Sequence, residues 1–226
     1  MCCYVIVTVR SLLWALLSIT VCLAELAAFM SAHWLVGQST PIQSNGSNVV
    51  LSQESVRTTG LFLRCEQKGS ANFMSVSDNC RVYAHTVGEI ASPFWVATCI
   101  FMVIAILFLF IVALFSVWAL CFRNLGRKSI FSISGILQAI AGLLLIFSLV
   151  LFPAGWGSDK VKEECGHQAA AFNLGTCHIG WAYYAAMFGT LMSFLCAVLS
   201  NQAEAATGSE TVENDIIDGK NPICAL

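Results

Sequence analysis

The sequence predicts an all-α membrane protein of four spans that carries a small, disulfide-stapled domain outside the cytoplasm. Three observations lead there. First, 11% of the 226 residues are charged while 58% are apolar. Soluble domains carry about 25% charge, so most of this surface must face something other than water. Second, four windows are long and nearly free of charge, each with the roughly 20 residues a helix needs to cross about 30 Å of hydrocarbon. Third, Cys65, Cys80, Cys165 and Cys177 all fall in the polar segments between those windows. That is where disulfides belong in an oxidising compartment. The net charge of −2 gives no electrostatic reason to expect nucleic acid.

The elements follow in order. Residues 1–11 are a short N-terminal segment, and the first span covers 12–33, with Glu25 its only charge. Its apolar stretch is longer than the core of a signal peptide, so it is read as retained. The second span covers 93–121, the third 129–152 and the fourth 178–201. They are read as helices because backbone in lipid must satisfy its own hydrogen bonds, and the alternation of a membrane barrel is absent. Ser92-Pro93 suits an N-cap and first helical position. Pro153 suits the end of the third span, since it lacks an N–H and clashes with the preceding turn. The uncharged window around the second span exceeds the hydrocarbon thickness, so its start projects beyond the bilayer or the helix tilts.

Charge asymmetry sets the orientation. Arg10 precedes the first span, and Arg123, Arg127 and Lys128 fill the turn at 122–128. Both belong in the cytoplasm, and with them both termini. The loops at 34–92 and 153–177 then face the lumen or the exterior. The sequon Asn45-Gly46-Ser47 lies in the first of these, which makes Asn45 a candidate glycosylation site.

The first outer loop is long enough for a small sheet but short of a self-sufficient core. Cys65 with Cys80 would close a loop of about 16 residues, worth roughly 3 kcal/mol in the loop-entropy model. Cys165 with Cys177 would close a slightly shorter one. Four cysteines allow three pairings, and the residues alone leave all three open. Cys165, His167, Cys177 and His178 also have zinc-ligand chemistry. The adjacency of Cys177 and His178 makes joint tetrahedral ligation awkward, and disulfides are the preferred reading.

Two motif sets resemble known families. Trp34, Gly60-Leu61-Phe62, Cys65 and Cys80 resemble the first-loop pattern of the claudin and peripheral-myelin-protein superfamily, with Phe62 standing where claudins carry tryptophan. Phe152-Pro153-Ala154-Gly155-Trp156, Cys165-Gly166 and Gly175-Thr176-Cys177-His178-Ile179-Gly180-Trp181-Ala182 closely resemble the lipoma HMGIC fusion partner-like tetraspan family. Val5-Ile6-Val7-Thr8, Gly88-Glu89-Ile90-Ala91-Ser92 and Gly219-Lys220-Asn221 resemble its protein 2 branch, and Ser39 to Thr59 matches least. The resemblance implies a claudin-like, left-handed four-helix transmembrane bundle capped by a small extracellular β-sheet. It implies Cys65–Cys80 and Cys165–Cys177 disulfides. It also implies a non-enzymatic auxiliary or scaffold subunit that binds a channel, receptor or adhesion protein at the plasma membrane. Tetraspanins, whose cysteine-rich domain is the second outer loop, and connexins, with three cysteines in each outer loop, fit badly.

Few residues offer other chemistry. Glu25 is costly in hydrocarbon unless protonated or paired; it is a candidate contact for a partner helix, or pairs internally with a group such as Gln138. Gly135, Ala139 and Gly142, and Ala185, Gly189, Ser193 and Ala197, form small-residue stripes that let helices approach closely, chiefly within this chain. Cys2, Cys3 and Cys121 are juxtamembrane and candidates for palmitoylation. The tail at 202–226 is acidic, with a short helix expected around Val212 to Ile217. Its end, Ile223-Cys224-Ala225-Leu226, has the form of a segment captured by strand addition. Trp34, Trp95, Trp156 and Trp181 lie near the predicted interfaces, where an aromatic belt explains them; bracing of the outer domain is the alternative for Trp156 and Trp181. There is no phosphate loop, nucleophile elbow or metalloprotease motif, and no cofactor is expected. A claudin-like adhesion or barrier role is the alternative function; a channel in its own right is disfavoured by four spans holding one charge.

Overall fold

The computed structural model describes residues 6–37, 40–41, 54–69, 76–84, 86–119, 124–125, 128–208 and 223–225. Strand β1 (Ile6–Thr8) leads directly into helix α1 (Val9–Met30). The first loop forms β2 (Leu35–Val36), β3 (Thr40–Pro41), β4 (Glu54–Thr59), β5 (Leu63–Gly69) and β6 (Val76–Val82). Helix α2 (Pro93–Trp118) follows, then the short strands β7 (Asn124–Leu125) and β8 (Lys128–Ser129), then α3 (Ile130–Ala154). The second loop holds α4 (Asp159–Cys165) and β9 (His178–Ile179). Helix α5 (Trp181–Thr207) and strand β10 (Ile223–Ala225) complete the order.

Helices α1, α2, α3 and α5 are long and apolar enough to cross a membrane. Leu107, Phe110 and Leu114 of α2, Phe147 of α3 and Leu191 of α5 are all exposed. A hydrocarbon solvent accommodates such faces, and water does not. Local chemistry sets the helix starts. Thr8 caps α1: its Oγ1 accepts the Ser11 N–H at 3.1 Å while Ser11 Oγ accepts the Thr8 N–H at 3.0 Å. This reciprocal arrangement has the form of a capping box, and it starts the helix at Val9, three residues before the expected span. Ser92 Oγ accepts the Trp95 N–H at 3.2 Å, so Ser92 is the N-cap of α2 and Pro93 its first helical residue.

The chain divides into two compact units: Met1–Leu26 with Phe101–Ile146 and Met187–Leu226, and Ala27–Ile100 with Phe147–Ala186. In the first, small residues seat α3 against α5. A Cβ on Gly142 would lie 2.7 Å from Ser193 Oγ and 2.8 Å from Phe194 Cζ, and one on Gly135 would overlap Ser200 Oγ. Helix α1 is tied to α3 by polar contacts. Gln138 Oε1 accepts from Trp14 Nε1 at 3.3 Å, Gln138 Nε2 donates to Ser18 Oγ at 2.8 Å, and the Trp14 ring meets Phe131 edge-on at 5.1 Å. Gln138 is therefore engaged by Trp14 and Ser18 and does not pair with Glu25. Strand β10 lies parallel to β1, with Ile6 opposite Ile223; the chain's own N-terminal strand takes its last residues. The helix expected around Val212 to Ile217 lies outside the described residues.

The second unit holds an antiparallel sheet in the order β6-β5-β4-β2-β9, with β3 also paired to β4. The first loop supplies all but β9, which comes from the second loop. Beneath it lies an aromatic core. Phe152 stacks on Trp95 at 4.8 Å and meets Trp34 edge-on at 4.8 Å, with Tyr183 at 5.5 Å. Trp34 Nε1 donates to Ala28 O at 2.8 Å and Trp95 Nε1 to Phe152 O at 3.0 Å. Trp34, Trp95 and Trp156 are buried and so do not form the expected interfacial belt. The N–H groups of Trp34 and Trp95 and the ring area of all three serve the core instead. Trp181 alone of the four is exposed, at 54%.

Helix α3 runs through Pro153 to Ala154 before a 3-10 turn at Gly155–Gly157. A proline one residue from the helix end removes one internal donor, and the carbonyl it orphans is that of Leu149, four residues back. Tyr183 Oη donates to Leu149 O at 2.9 Å. The tyrosine of α5 thus fills the vacancy made by the proline of α3.

Candidate functional site

The four polar-segment cysteines form two disulfides, Cys65–Cys80 and Cys165–Cys177. Cys65 and Cys80 are register partners on β5 and β6, so the bond staples the outermost strand pair. Cys165 ends α4 and Cys177 precedes β9, which fixes the second loop as it enters the sheet. Inside that loop Gly175 has φ +61°, and its Cβ would crowd the Cys165 carbonyl. Thr176 N–H donates to that same carbonyl at 2.9 Å. Among the described residues no group of three or more His, Cys, Asp or Glu is placed to hold a metal ion.

The glycines of the two motifs are close-approach positions. A Cβ on Gly60 would lie 2.9 Å from Ala32 Cα, and one on Gly180 would overlap the His33 carbonyl. Gly180 N–H donates to Trp34 O at 2.9 Å, and Ala182 N–H to His33 O at 3.1 Å. The Gly-Leu-aromatic turn and the Ile-Gly-Trp run therefore clamp adjoining parts of one short segment, the first on Ser31-Ala32 and the second on His33-Trp34. Helix α4 is joined to the sheet by Glu164. Its carboxylate lies 2.6 Å from Arg64 Nε of β5 and accepts from Thr59 Oγ1 of β4. Tyr83 donates to Leu61 O at 2.7 Å, under the Arg64 guanidinium at 5.4 Å. Burial, chiefly, pushes the Tyr83 phenol above its ordinary pKa, so it stays a neutral donor.

Glu25 belongs to the first unit. Glu25 is fully buried (0% exposed), and its carboxyl lies against Gly189, where an added Cβ would overlap it. Among the described residues neither carboxyl oxygen has a hydrogen-bond partner. The side chain points into the protein, while its neighbours Leu23 and Leu26 are exposed. Asn45, Cys2, Cys3 and Cys121 lie outside the described residues. Sequence reasoning missed Tyr183, Tyr83 and the Arg64–Glu164 pair. Arg64 and Glu164 meet only because α4 packs beside β4 and β5, and no local spacing encodes that.

The family model described as "Lipoma HMGIC fusion partner-like protein" matches residues 10–202. The chain belongs to the lipoma HMGIC fusion partner-like family. It is 47% identical over 227 residues to the LHFPL tetraspan subfamily member 2 protein of Homo sapiens, covering 99% of this chain and 100% of that one. The member 2a protein of Danio rerio matches at the same identity and coverage. The member 4 protein of Homo sapiens is 27% identical over 84% of this chain and 71% of its own length. This lipoma HMGIC fusion partner-like chain is accordingly an integral, multi-pass tetraspan membrane protein. The family match reaches all four long helices and spans both disulfides, so the clamped segment 31–34 and the stapled sheet lie inside the shared region.

Proposed function

We propose that this lipoma HMGIC fusion partner-like protein is a non-enzymatic auxiliary or scaffold subunit that binds another integral membrane protein and supports its assembly, trafficking or surface localisation. The observation that carries the proposal is the stapled sheet. It follows α1 by four residues and precedes α5 by one, which makes a preorganised binding face continuous with two membrane helices. Preorganisation lowers the ordering cost of association. Of the groups the sequence offered for chemistry, Cys65, Cys80, Cys165 and Cys177 are taken up by disulfides and Glu25 is buried.

The same reading places the sheet outside the cell and both termini in the cytoplasm. Arg10, Arg123, Arg127 and Lys128 favour that orientation, as do two disulfides that need an oxidising compartment. Asn45 is then open to glycosylation, and Cys2, Cys3 and Cys121 to palmitoylation. The test is proximity labelling from a peroxidase fused beside the sheet in intact cells, followed by depletion of this protein. The proposal expects one membrane protein to be labelled strongly on the same cell and to fall in surface abundance on depletion. Labelling only across cell contacts, with no change in any surface protein, would support the adhesion role instead.

A further inference from the structure

One face of the sheet carries an arginine groove in which Arg81 has no ion pair among the described residues. The register puts Arg57, Glu66 and Asn79 in one cross-strand row and Thr59, Arg64 and Arg81 in the next. The rows are two residues apart, so their side chains share a face. Arg57 is balanced by Glu66 at 3.6 Å and Arg64 by Glu164 at 2.6 Å. Arg81 has no ion pair among the described residues, yet it stands directly opposite Arg64. Like charges directly opposed across strands destabilise a sheet. The result is a cavity of about 350 Å³ lined by Arg57, Arg64, Arg81, Glu66, Asn79 and Tyr83, three guanidinium groups against the one carboxylate of Glu66, with Glu164 pairing Arg64 from beside it. Residues 38–53 and 70–75 contain no acid that would supply the missing charge.

We propose that this groove receives a single carboxylate side chain from an extended segment of the partner's outer domain, held by Arg81 and Arg64 beside Tyr83. The proposal rests on the auxiliary-subunit reading and locates its contact. With Arg57 and Arg64 each paired, Arg81 is the guanidinium left without a counter-charge, and one carboxylate supplies it. A polysulfated glycan would bring many charges against Glu66 and Glu164. A guanidinium presents a planar fork that matches a carboxylate. Strand β6 ends the sheet order, so among the described strands its outer edge is unpaired. An extended segment laid along it points alternate side chains onto the groove face.

The test uses full-length protein in phosphatidylcholine nanodiscs and three fluorescent probes. Two are peptides of alternating threonine and valine with one central glutamate or glutamine; the third is a heparin fragment. The glutamate peptide is expected to bind at least tenfold more tightly than the glutamine peptide and to weaken as salt rises. Arg81→Gln should abolish the preference, and Arg81→Lys should restore only part of it. Asn79→Asp, which supplies a carboxylate within the groove, should abolish it independently. Equal binding of the two peptides, no binding of either, or a preference unchanged in Arg81→Gln would overturn the proposal. So would heparin binding that Arg81→Gln abolishes while the glutamate peptide fails to bind. The two readings fail separately. If Arg81→Gln retains a membrane partner as well as the natural chain does, the groove falls and the auxiliary role stands. A glutamate preference with no retained partner leaves the groove standing and removes the auxiliary role.

Discussion

At the residue scale, two tyrosines show how a polar group is made to serve an apolar setting. Tyr183 supplies the donor that Pro153 removes from α3. Tyr183→Phe leaves the Leu149 carbonyl orphaned in a part-buried site, a loss of about 1 kcal/mol. Adding Pro153→Ala returns a backbone donor, so the double variant should recover much of that loss. Thermal unfolding of the four species in detergent measures the coupling. Tyr83 works on the sheet side. Because burial raises its pKa, folding favours the neutral phenol. Its contribution is complete below the ordinary tyrosine value of about 10 and declines as pH climbs above it. Tyr83→Phe should cost about 1 kcal/mol at neutral pH and flatten the alkaline loss of stability seen in unfolding scans across pH. Neither tyrosine stood out in the sequence. Pro153 announced a break, but which side chain would answer it depended on how α5 packs.

At the element scale, the sequence was most legible where physics is local. Charge-free windows marked four helices, Ser92-Pro93 marked the start of α2, and the small-residue stripes marked the faces where α3 meets α5. It was least legible where partners are remote. Thr8 with Ser11 was overlooked as a cap, so α1 begins earlier than its window. Trp34 and Trp95 read as interfacial because their spacing cannot show that Phe152 sits between them. The stripes carry a prediction: Gly142→Leu forces a side chain into Ser193 and Phe194 and should cost about 1–3 kcal/mol by overpacking, while Ile136→Leu on the exposed face of α3 should be neutral. Comparison of unfolding temperatures checks both. The disulfides carry another. Cys165→Ser with Cys177→Ser releases the second loop from its staple, worth about 3 kcal/mol. The fraction of this variant reaching the cell surface, read by surface biotinylation, should fall well below that of the natural chain.

At the scale of the whole molecule, the tetraspan architecture and the family were both written in the sequence, the first in hydropathy and the second in the glycines and cysteines of the two loops. The clamp explains why those motifs are specific. Gly60 and Gly180 sit where backbone crosses backbone, and no side chain fits. What the molecule binds is a property of its surfaces, and exposed rows such as Arg57, Arg64 and Arg81 acquire meaning only once the strands are in register. The central claim is that these surfaces serve a second membrane protein. Affinity capture of the full-length chain in mild detergent, followed by mass measurement of the intact complex, tests it most directly. The account predicts a complex containing one other integral membrane protein in a fixed whole-number ratio. Recovery of this chain only as a monomer, or only with copies of itself, would contradict it.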